Sequence, residues 1–74
     1  MSKVVVTFTS FSEDGVISVI INNTEYIYYL DGLLVDEIER LSKRAPMKAF
    51  HAVKRSARGY VKEGKYYERS ESDK

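Results

Sequence analysis

No cysteine occurs among the 74 residues, so neither a disulfide nor a thiolate metal site can staple the fold. Tryptophan is also absent, and His51 and Pro46 are the sole histidine and proline. With one histidine and few carboxylates near it in sequence, a zinc site lacks ligands, and no Ser-His-Asp set is recognisable. No apolar run approaches the roughly 20 residues that a membrane-spanning helix needs. The opening MSKVVVTFTS carries one lysine and then a strand-like pattern, unlike a secretory leader. These absences lead to the expectation of a soluble, cytoplasmic protein with no cofactor and no metal. The acids Asp36, Glu37 and Glu39 fall on a solvated helix face without the cleft that shifts a catalytic carboxylate, which argues against an enzyme. A single domain of this length has a small core and a thin stability margin, so a homodimer or another partner would help it.

The hydropathy pattern changes period once. KVVVTFTS alternates, with Val4, Val6 and Phe8 on one side and Val5, Thr7 and Thr9 on the other. SEDG at 12–15 is a turn. VISVIIN at 16–22 is apolar on both faces and reads as the central strand. NNT at 22–24 is a second turn, and EYIYYL at 25–30 a third strand with Tyr26, Tyr28 and Leu30 on one face. Asp31 then caps a helix beginning near Gly32, whose apolar stripe is Leu34, Ile38 and Leu41. Pro46 opens a second helix that runs to about Arg58, with Gly59 as its stop. The expected architecture is α+β: a three-stranded antiparallel meander followed by two helices packed on one face, β-β-β-α-α. Residues 1–61 form the compact domain, and 62–74 a charged, flexible C-terminal tail.

The charge is small in sum, +1, but unevenly placed. Residues 1–42 hold two basic and seven acidic side chains, a net of −5, whereas residues 43–74 hold ten basic and four acidic ones, a net of +6. At about 100° per residue, Met47, Val53, Ala57 and Val61 cluster within roughly 60° of Phe50, forming a core stripe. Lys48, His51, Arg55, Arg58 and Lys62 follow between roughly 80° and 160°, and Lys54 lies between the two stripes. Clustered cations on one helix face are the electrostatic footprint of phosphate contact. They also complement a helix C-terminus or dock on an acidic protein surface, including the acidic half of a second copy. SKRAP between two helices invites comparison with a helix-turn-helix. The start of the second helix, however, offers Met47, Lys48 and Ala49 rather than base-reading side chains. Phosphate contact is expected there, without sequence readout.

Two further patterns bear on binding. GYVKEGK at 59–65 has the spacing of a phosphate-binding loop, but Tyr66 stands where a magnesium-holding Ser or Thr belongs, so the match reads as chance. Six tyrosines are many for this length. Tyr26 and Tyr28 either stack bases or pack against the helices, and packing is the expected use. Tyr60, Tyr66 and Tyr67 interleave with Lys62, Lys65 and Arg69, which suits single-stranded nucleic acid or a protein interface.

The order of features resembles the KTSC domain, a small family common in phage and prophage proteins and found at the end of some lysyl-tRNA synthetases. Tyr26 and Tyr28 look like its Y-x-Y strand end, Leu41 like its helix anchor, and Ser42-Lys43 like the start of its turn. Phe50 and Val53 look like the anchors of its last helix. The resemblance covers residues 16–60, with Arg44 and Ala45 in place of the turn glycine and His51 in place of an asparagine. It implies a phage-like origin, hence the cytoplasm of a host cell, and RNA association. The resulting expectation is a small non-enzymatic phage-type module that presents Lys48, His51, Lys54, Arg55, Arg58, Tyr60 and Lys62 to nucleic-acid phosphates, DNA or RNA. The alternative is a phage-encoded inhibitor or adaptor that docks the same basic helix on an acidic or nucleic-acid-binding surface of a host protein.

Overall fold

A computed structural model describes residues 4–68. The chain runs β1 (Val6–Phe11), β2 (Val16–Ile21), β3 (Thr24–Tyr29), a 3-10 turn (Gly32–Leu34), α1 (Val35–Arg44), α2 (Pro46–Ser56), β4 (Gly59–Lys62) and β5 (Lys65–Glu68). All five strands join one antiparallel sheet in the order β1-β2-β3-β4-β5. The helices interrupt the sheet's connectivity between β3 and β4 and cover one of its faces.

Local chemistry explains the first half. Ser12 closes the first turn twice: its carbonyl accepts from Gly15 N at 2.9 Å, and its Oγ accepts from Asp14 N at 3.2 Å. Asn22 and Asn23, both at positive φ (49° and 74°), make the two-residue turn whose twist matches paired strands. The Asn22 side chain also accepts from Val5 N at 3.0 Å, holding the approach to β1. A register shift between Phe8 and Ser10 puts an extra residue into β1. That bulge lets Phe8 and Phe11, an odd number of residues apart, both reach the helix side, where their rings stack at 5.6 Å.

Ile17, Val19, Tyr28 and Leu30 bury against Val35 and Ile38 of α1 and against Ala49, Phe50 and Val53 of α2. Ile17, Val19 and Val53 expose no surface. Burial on this scale stabilises by about 1.5–3 kcal/mol per side chain. Asp31 caps as expected, accepting from Leu33 N at 3.1 Å, although the turn it caps is 3-10 before α1 begins. Pro46 opens α2 after a one-residue connection at Ala45. Among the described residues, no helix is long and apolar enough to cross a membrane.

The β-β-β-α-α expectation is corrected: two further strands follow the helices. The second helix ends at Ser56 rather than near Arg58, because Ala57 turns extended (φ −71°, ψ 142°) after donating the last helical bond to Val53 O at 2.8 Å. Arg58 N then donates to Tyr29 O at 2.9 Å, so the backbone passes directly from helix to sheet bonding. β4 pairs with β3, and β5 turns back on β4. The turn between them is Glu63-Gly64, again with both residues at positive φ (53° and 80°). β3, not β2, is therefore the central strand. Residues 62–68, read from sequence as the start of the tail, complete β4 and form β5. The remainder of that tail, residues 69–74, lies outside the described residues.

Candidate functional site: a tyrosine groove flanked by lysines

Strand register lays out the site. On the helix-covered side of the sheet, Tyr28, Tyr60 and Tyr67 stand opposite one another across β3, β4 and β5. Their ring centroids are 5.3 Å apart for Tyr28–Tyr60 and 5.2 Å for Tyr60–Tyr67, the latter pair within 15° of parallel. At the inner end, Phe50 of α2 meets Tyr28 edge-on at 6.2 Å. The three tyrosines form a ladder from the core to the sheet edge: Tyr28 is buried, Tyr60 half-buried, and Tyr67 39% exposed.

A second row runs beside the first. Tyr26, Lys62 and Lys65 are cross-strand neighbours on the same face. Tyr26 contacts both Tyr28 (6.1 Å) and Tyr60 (5.9 Å), so the rows are joined. The Lys62 ammonium lies 5.6 Å from the Tyr26 ring centroid. From the helix side, Lys54 places its ammonium 5.4 Å from the Phe50 ring centroid. Each pair has the geometry of a cation–π contact. Between α2 and this part of the sheet opens a groove of about 340 Å³, lined by Tyr26, Tyr28, Tyr60, Phe50, Lys54 and Ile21 among others.

The environment shifts two of these groups. Burial, and then the neighbouring Tyr26 and Tyr60, pushes the Tyr28 phenol up to about 12. Tyr26, by charge and by a hydrogen bond, holds the Lys62 ammonium above its usual value. Both shifts hold Tyr28 as an uncharged phenol and Lys62 as an ammonium group at neutral pH.

Of the residues singled out in sequence, Lys54 and Tyr60 line the groove, and Lys62 lies over its Tyr26 ring. Lys48, His51 and Arg55 are exposed elsewhere on α2. Arg58 is exposed on the link to β4. A continuous cationic helix face reaching Lys62 is thus corrected: Lys62 belongs to β4 and Tyr60 points from the sheet. Lys65 and Tyr67 are the site residues that helix-based reading leaves out. Their signal is the period-2 pattern of GYVK and KYYE around the two-residue turn.

A larger hollow, about 840 Å³, lies between α1 and α2, with Glu37, Arg40, Lys43 and Arg44 around Leu34, Ile38 and Leu41. It mixes charges of both signs and contains no aromatic ring, so it offers a ligand less directional chemistry. Among the described residues, no three His, Asp or Glu side chains converge to hold a metal ion. No family model, curated protein or solved structure matches the chain.

Proposed function

We propose that this protein is a small, non-enzymatic nucleic-acid-binding module of phage type, and that it grips phosphates with lysines from two elements. The observation that carries the reading is that Lys54 from α2 and Lys62 from β4 each lie over an aromatic ring that lines the groove, Phe50 and Tyr26. Lys48 extends the positive surface along the exposed part of α2, where His51 is also exposed. The resemblance to the KTSC domain supports the phage-type assignment and RNA as one ligand.

Neutralising phosphates releases condensed counterions, so affinity must fall with salt. The test is fluorescence anisotropy of labelled DNA and RNA, single- and double-stranded, across a salt series. The triple variant Lys48→Glu, Lys54→Glu and Lys62→Glu is the comparison. Loss of three contacts should reduce the slope of log K against log salt by about 2 for a single strand. Wild-type binding that is flat with salt overturns the proposal. A stoichiometric protein partner that survives nuclease treatment, with no oligonucleotide binding, moves the basic surface to protein docking.

A further inference from the structure

Resting on the phosphate-binding reading, we infer that the exposed end of the ladder, Tyr67 stacked on Tyr60, is a stacking track for the unpaired bases of single-stranded nucleic acid, and that Lys62 and Lys65 in the next row, with Lys54 of the groove, hold its backbone.

The two faces of the sheet differ in charge. By strand register, the open face carries Glu25 and Glu68, together with Ile20, Ile27, Val61 and Tyr66, and its described strand positions include no basic residue. The helix side carries Lys62 and Lys65 in the row next to the ladder. A polyanion is therefore directed to the helix side, where rings and ammonium groups stand in adjacent rows. Same-face rows on a strand are about 7 Å apart, from a rise of roughly 3.4 Å per residue. One nucleotide can thus place its base over a ring while its phosphate stays within reach of a lysine.

The ladder has the right direction as well. Tyr60 and Tyr67 already stack, and Tyr67 presents its ring at the sheet's edge. A base continues that stack only if its own π-face is free. In a duplex that face is covered by neighbouring pairs, which is why aromatic platforms select unpaired strands.

Because the chain has no tryptophan, its emission comes from six tyrosines, three of them in the ladder. The experiment titrates a labelled single strand and the matching duplex at one low salt concentration against wild type, Tyr67→Ala and Tyr67→Phe. Intrinsic tyrosine fluorescence is followed in parallel with unlabelled strands. The expected result is a preference for the single strand and saturable quenching of tyrosine emission. Tyr67→Ala should weaken the single strand by about tenfold to a hundredfold with little change for the duplex, and Tyr67→Phe should keep wild-type affinity. Thermal melting of each variant checks the fold. Lys65→Gln, at an exposed position, tests the cationic row independently of the aromatic change and should weaken the single strand.

Equal binding of both forms, insensitive to Tyr67→Ala and Lys65→Gln but lost in the triple lysine variant, overturns the stacking track and leaves phosphate binding standing. Absence of binding to either form at low salt overturns both.

Discussion

Gly15 offers the most demanding test of the fold, because two separable effects meet there. Its φ is +96°, and a Cβ added to it would fall 2.0 Å from the Leu30 carbonyl oxygen and 3.2 Å from Gly32 N. Gly64 has a similar φ, +80°, but nothing within 4 Å of the same added atom. Gly64→Ala therefore isolates backbone strain, about 1–2 kcal/mol. Gly15→Ala adds displacement of the backbone at Leu30, whose N–H donates to Gly15 O at 2.7 Å. Leaving that pair unmet costs about 1–3 kcal/mol more. Both variants regain about 0.4–1 kcal/mol through the unfolded chain. A domain of this size has roughly 4–11 kcal/mol in total, so Gly15→Ala removes a large share. At about 4–8 °C per kcal/mol, the middle of these ranges lowers its melting temperature by about 10–20 °C, and by clearly more than that of Gly64→Ala. Circular dichroism melts of the two variants, with urea midpoints as a second measure, give the comparison. Equal losses would refute the close approach between the first turn and the end of β3.

Two further outcomes follow from core and charge. Ile17→Ala, at a position with no exposed surface, should cost about 2–5 kcal/mol in urea unfolding, while Leu33→Ala at an 88% exposed site should change little. For pH, both shifted groups have folded values above their unfolded ones. Their contribution to stability should therefore be complete below about pH 10 and be lost as pH rises toward the Tyr28 value of about 12. Tyr28→Phe should flatten that alkaline decline relative to its own neutral-pH stability; an unchanged slope would remove Tyr28 as a cause.

The first three strands are legible in the sequence because each signal there is local and redundant. Alternation, β-branched residues and two turns of short polar residues all agree over residues 6–29. The last two strands are not, because a helical pattern continues past the helix. Val53, Ala57 and Val61 keep a spacing of four, yet only Val53 belongs to α2; Ala57 is its extended cap and Val61 lies in β4. Glu63 adds to the masking, since a charged residue at positive φ is a weaker turn signal than Asn-Gly. Each basic and aromatic residue of the site can be named from sequence. Their convergence cannot, because Tyr28 meets Tyr60 only through the pairing of β3 with β4, across the whole helical insertion. The Phe8 to Ser10 bulge escapes for a related reason: alternation alone gives no cause to place Phe8 and Phe11 on one side.

That same insertion gives the sheet a seam. Every other pair of neighbouring strands is joined by a turn of two to four residues, whereas β3 and β4 are joined by residues 30–58. The seam runs through the groove, between Tyr28 and Tyr60 and between Tyr26 and Lys62. Local opening that frees the β4–β5 hairpin dismantles the groove while leaving the meander's own turns and pairings intact. Occupancy and hairpin docking are then thermodynamically linked: a ligand that binds only the closed groove holds the seam shut by RT ln(1 + [L]/Kd). Any ligand of the closed groove would in that sense fasten the hairpin as a clasp.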